Sequence, residues 1–170
     1  MPTAPAKPLV YLETSFISYL TARVSSDPKL ALDQAATRRW WEGDAPKCDL
    51  FVSEIVLDEA KNGDPVQSAL RTKVLRDLRS VPSTSEAFRL SARLLAVHAL
   101  PENSSTDALH VALAVVYGAD ILLTWNCRHI ANPTTLPLTM KTIAESGYRC
   151  PAITTPALRL EDIHVDESHS

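Results

Sequence analysis

"TDALHVALAVVYGADILLTWN", residues 106–126, changes its periodicity once, at a glycine. Up to Tyr117 the apolar residues follow helical spacing with almost no polar face, as in a helix packed into a core. Ser104, just upstream, supplies an N-cap and Gly118 a C-cap. "DILLT" (120–124) then reads as a short buried strand. A strongly apolar helix that hands over to an apolar strand within a few residues is the repeating unit of layered α/β proteins.

The same alternation extends on both sides. "LVYLE" (9–13) is a β-rich run, and "TSFISYLTAR" (14–23) switches to helical spacing with Phe16, Ile17 and Leu20 on one side. Asp27-Pro28 opens a second helix, for which Leu30, Leu32, Ala36 and Trp40 are the expected buried stripe. "DLFVS" (49–53) is the second strand, and the helix after it stops at Asn62-Gly63. Asp64-Pro65 starts a helix running to about Leu78, "RSVPST" (79–84) is a short strand, and "SEAFRLSARLLAVHAL" (85–100) is a helix ended by Pro101. A loop and helix follow Asn126, and "PAITTP" (151–156) is the last strand. Strands separated by helices predict right-handed crossovers, hence a three-layer α/β/α domain around a mostly parallel sheet of four or five strands.

A chain of 170 residues with 45% hydrophobic and 22% charged residues suits one domain, expected over 7–156, with a polar tail at 157–170. The net charge of −3 gives no general attraction to polyanions, so any contact with nucleic acid must be local. Three widely spaced cysteines without a CxxC pair argue against a disulfide framework or zinc site and fit a reducing cytoplasm. "MPTAPAKP" lacks the apolar core of a signal peptide, and no run nears the ~20 apolar residues of a membrane helix, so no membrane association is expected.

In open parallel sheets, ligands bind outside the carboxyl ends of the strands, which makes the residues just past each strand the ones to inspect. Glu13 ends the first strand, Glu59 lies in the helix after "FVS", Asp107 opens the helix before "DILLT", and Asn126 follows that strand by two residues. Carboxylates gathered at one end of a sheet repel one another unless a cation joins them. Mg²⁺ binds through a few such oxygens while keeping waters and taking substrate phosphate, and it then assists attack on a phosphodiester. Each residue also has a plainer reading. Glu13 suits a solvated strand end, Glu59 a helix face beside Asp58 and Lys61, and Asn126 an ordinary turn. Asp107 suits a helix N-terminus that it stabilises by roughly 0.5–1 kcal/mol.

The stretches "VYLETSFISYL", "VSEIVLDEAKNGD" and 106–126, in that order, resemble the PIN-domain ribonucleases, including the VapC-like toxins of bacterial type II toxin–antitoxin pairs. The resemblance runs over roughly residues 7–156 and is most specific in 106–126. It implies a site made of Glu13, Glu59, Asp107 and Asn126, with Glu13, Asp107 and Asn126 on a Mg²⁺ or Mn²⁺ ion and Thr14, Ser15 and Thr124 steadying them. It further implies endonucleolytic cleavage of RNA, a homodimer, and an antitoxin protein that blocks the cleft. Two positions depart from the family pattern. Glu13 stands where aspartate is usual, and Asn126 replaces an acid, which points to weakened activity or, alternatively, a catalytically silent scaffold that binds RNA or a protein.

Arg128 and His129 are placed to contact RNA phosphate, or else to cap the next segment. His110, one turn beyond Asp107, reads as a packed, hydrogen-bonded core histidine. Trp40 and Trp41 after Arg38-Arg39 suit base stacking or burial under a partner helix, with one ring in the core and the other half exposed on general grounds. A phosphatase using a strand-end nucleophile would need a second acid where Ser15 stands, and a receiver domain would need paired early acids and a late lysine that "DILLTWN" does not offer.

Overall fold

The computed structural model describes residues 3, 4 and 6–165. Five strands form one sheet: β1 (Leu9–Leu12), β2 (Asp49–Ser53), β3 (Arg79–Val81), β4 (Ile121–Leu123) and β5 (Ala152–Thr154). Their spatial order is β3-β2-β1-β4-β5, and every neighbouring pair is parallel. Val10, Tyr11 and Leu12 of β1 and all three residues of β4 are fully buried, as expected of central strands covered on both faces.

Among the described residues seven α-helices flank the sheet: α1 (Thr14–Thr21), α2 (Pro28–Gly43), α3 (Glu54–Ala60), α4 (Pro65–Leu75), α5 (Ser85–Ala96), α6 (Ser105–Val116) and α7 (Leu136–Glu145). They pack in two groups, α1 with α2, α3 and α4, and α5 with α6 and α7. The expected elements all form, and the sheet takes the larger of the two expected strand counts. No helix among the described residues is long and apolar enough to cross a membrane.

Two expectations need correction. The stripe proposed for α2 is wrong at Leu32, which is 70% exposed, whereas Gln34 and Thr37 are buried with Ala36 and Trp40. Gln34 is tolerated inside because its amide accepts from Ser25 N (2.9 Å) and donates to Arg23 O (3.1 Å). Helix α5 ends at Ala96, short of Pro101. His98 adopts φ 59°, and Ala99 N returns to Leu94 O at 3.0 Å, closing the helix without a glycine. The C-terminal stretch as far as Val165 does not stand clear of the domain. Arg159 pairs with the buried Asp44 through Nε–Oδ2 at 2.8 Å, and Leu160, Ile163 and Val165 pack against the core. Residues 166–170 of the expected tail lie outside the described residues.

Candidate functional site

The chain crosses from one side of β1 to the other between β3 and β4, so the carboxyl ends of β1 and β4 flank the point where strand order reverses. This is the binding crevice of open α/β sheets. Glu13 leaves β1 there, its backbone N donating to Leu123 O of β4 at 3.1 Å. Its side chain is not a solvated strand end. Glu13 is 5% exposed, and its Oε2 accepts from Ser15 N at 3.0 Å, from Thr124 Oγ1 at 2.9 Å and from Ser15 Oγ. Glu13 is also the N-cap of α1. One carboxylate oxygen therefore absorbs three donors and the positive end of a helix.

Glu59 projects from α3 into the same region. Its Oε1 accepts from Thr14 Oγ1 at 2.8 Å and from His110 Nε2 at 2.5 Å. The His110 imidazole is fully buried, its Nε2 also lies 3.9 Å from Glu13 Oε1, and its Nδ1 is 2.7 Å from the Tyr11 hydroxyl. Tyr11 in turn meets Ser53 Oγ at 2.8 Å. Since an ionised Glu59 can only accept, His110 carries its proton on Nε2. Burial drives the Tyr11 pKa far up, so its hydroxyl stays protonated and bridges His110 and Ser53. Partial burial alone would raise the Glu59 pKa, but the hydrogen bond and charge of His110, with help from Thr14, hold it below the ordinary value. His110 is the packed, hydrogen-bonded core histidine its surroundings predict, and it also joins the acids, because one ring edge faces Tyr11 and the other faces Glu59. The three-residue spacing from Asp107, which puts both on one face of α6, was the available signal.

Asp107, in the first turn of α6, has its Oδ2 2.9 Å from His129 Nδ1. Ser104 occupies the N-cap position of α6 but makes no side-chain cap, since its Oγ lies 3.1 Å from the same His129 nitrogen. Asn126 donates its backbone N to Thr124 Oγ1 at 2.9 Å, and its Oδ1 accepts from His129 N at 3.0 Å, closing the turn. Arg128 is exposed, whereas His129 Nδ1 is already engaged within the protein.

The four expected residues thus belong to one continuous network. Glu59 reaches His110, whose ring lies beside Glu13. Glu13 reaches Thr124, then Asn126, His129 and Asp107. Among the described residues no three His, Cys, Asp or Glu side chains are arranged to hold a metal ion. The donors suit a hard cation in kind. No described residue hydrogen-bonds to Glu13 Oε1 or Asp107 Oδ1, and Asn126 Oδ1 has used one of its two lone pairs.

No family model and no curated protein matches this chain. Solved structures do. VapC20 of Mycobacterium tuberculosis, a sarcin-ricin loop cleaving toxin, superposes with a TM-score of 0.56 at 18% identity, over 73% of this chain and 95% of that one. VapBC2 from Rickettsia felis, bound to a DNA fragment from its promoter, gives a TM-score of 0.52 at 19% identity, over 71% of this chain and 89% of the other. The fold is therefore that of the VapC toxins, a PIN-like sheet flanked by helices.

Proposed function

We propose that the chain is a Mg²⁺- or Mn²⁺-dependent endoribonuclease, the toxin member of a toxin–antitoxin pair. The observation that carries this reading is the network joining Glu13, Glu59, Asp107 and Asn126 at the reversal point of a VapC-like sheet. Glu13, Asp107 and Asn126 would hold the cation. It would supply positive charge against the scissile phosphate and its leaving oxygen. Thr14, Ser15 and Thr124 fix the acids by hydrogen bonds, and Glu59, kept ionised by His110 and Thr14, accepts a proton or orients a water at the edge of the cleft. Exposed Arg128 would contact RNA phosphate.

An antitoxin partner is supported by the similarity to the Rickettsia felis VapBC2 assembly, and a homodimer follows from the same family reading. Free Cys48, Cys127 and Cys150 fit a cytoplasmic protein. A silent PIN-like scaffold that binds RNA or protein is the second reading. It is favoured by the internal satisfaction of Glu13 Oε2 and by the use of one lone pair of Asn126 Oδ1 within the turn, which leave the site fewer free acceptors.

Incubating the purified protein with a varied RNA pool in Mg²⁺ and in Mn²⁺ separates the two. Cleavage that falls by about 100-fold or more in Asp107→Asn supports the nuclease. An intact pool under both metals supports the scaffold.

A further inference from the structure

Trp40 is fully buried and Trp41 is part-exposed against Phe16, with ring centroids 6.2 Å apart, the division expected of this pair on general grounds. A different pair remains. Trp125, the residue between Thr124 and Asn126, stacks on Tyr19 of α1 with centroids 5.4 Å apart and planes 12° from parallel. The other aromatic pairs among the described residues meet at 52–86°. Both rings of the stack are part-exposed, in contrast to the sealed Tyr11, Phe16, Trp40 and Phe51.

The position of this stack is tied to the carboxylates. Trp125 N donates to Ser15 Oγ at 2.8 Å, and Ser15 Oγ donates to Glu13 Oε2. The indole plane is pinned at its far edge, where Nε1 donates to the buried Thr37 Oγ1 at 2.8 Å and Thr37 Oγ1 donates to Asp33 O at 2.8 Å. With its only donor satisfied inside the protein, the indole has nothing left to offer a ligand except ring surface, which takes any base without hydrogen-bond readout. Exposed Arg128 follows Trp125 by three residues. A single strand entering here would find a cation for its backbone and an aromatic ring for a base.

We propose that Trp125, backed by Tyr19, is a stacking platform for one unpaired nucleobase of an RNA strand lying across the Glu13 site. This deepens the nuclease reading and rests on RNA being the ligand. The platform holds a base rigidly because its backbone and its indole nitrogen are each tied to a different element, so little entropy is lost on binding. It predicts that cleavage occurs only beside a base free to leave its stack, in loops and single strands.

The test uses full-length protein in EDTA, where cleavage is stopped, with a single-stranded RNA carrying the fluorescent base 2-aminopurine. Wild type should quench the probe, Trp125→Phe should bind nearly as well, and Trp125→Leu should bind about tenfold more weakly with the quench lost. Thermal unfolding of each variant checks that the fold survives. Equal binding and quenching by wild type and Trp125→Leu overturns the proposal. So does equal weakening in Phe and Leu variants, which would make Trp125 a strut. RNA that wild type does not bind also overturns it. Cleavage in Mn²⁺ is read separately. A Leu variant that binds normally while wild type cuts removes the platform and leaves the nuclease, whereas quenching without cutting does the reverse.

Discussion

Glu59 is held in its ionised form by partners that reach from the core. The pKa it has in the folded chain lies below the ordinary 4.5, with burial opposing the shift and His110 and Thr14 outweighing it. The interaction therefore stabilises the fold fully above pH 4.5, and that stabilisation is withdrawn as pH falls through the lower folded value. Glu59→Gln should be less stable than wild type in urea at neutral pH and converge with it in acid. Two unfolding curves that stay parallel across that range would contradict the assignment. Glu13 differs in kind, because its Oε2 is satisfied locally by Ser15, two residues on, and from across the sheet by Thr124. Reading "VYLETSF" alone shows an acid beside two hydroxyls, but not that Thr14 turns to Glu59 while Ser15 turns to Glu13. Those choices belong to the packing of α1 against α3 and β4.

Helix boundaries were legible where the chain carries a dedicated terminator and illegible where an ordinary residue does that work. Asp27-Pro28 and Asp64-Pro65 announce α2 and α4, and in both the aspartate accepts from a first-turn N–H at 3.0 and 2.9 Å. Gly63 and Gly118, with φ of 87° and 77°, mark ends that any L side chain would strain. Helix α5 has no such glycine. "AVHALP" reads as continued helix, yet the chain turns at His98 in the left-handed region. Replacing exposed His98 with glycine removes that strain, and His98→Gly should raise the unfolding free energy by about 0.5–1 kcal/mol in a urea titration. A loss of stability would mean that the imidazole makes a contact worth more than the backbone strain. The buried Gln34 and Thr37 of α2 escaped the apolar pattern for a related reason: each carries a polar group whose partner lies in another segment or one turn away, which periodicity does not register.

Across the molecule, the alternation of strands and helices and the gathering of the candidate residues at the carboxyl ends of β1 and β4 follow from pattern alone, since parallel strands must be buried and crossed over. The two histidines that join the acids do not follow from it, because His110 and His129 gain their roles only when α6 and the segment after β4 come together. The same is true of the clasp between the C-terminal stretch and α2. Asp44 is 3% exposed, and its carboxylate is held by Arg159, with Nη2 donating to Oδ1 at 3.3 Å. Arg159→Ala leaves that charge buried and alone, and should cost about 3 kcal/mol in thermal or urea unfolding. A change under about 0.5 kcal/mol would show that the clasp adds nothing.

The proposed function requires Glu13, Asp107 and Asn126 to share one divalent cation. Calorimetric titration of Mn²⁺ into wild type and into Asp107→Asn, at matched pH and salt, tests it without reference to any substrate. One site per chain in wild type, weakened at least about tenfold in the variant, is the predicted result. Identical curves for the two proteins, or no binding to either, would contradict it.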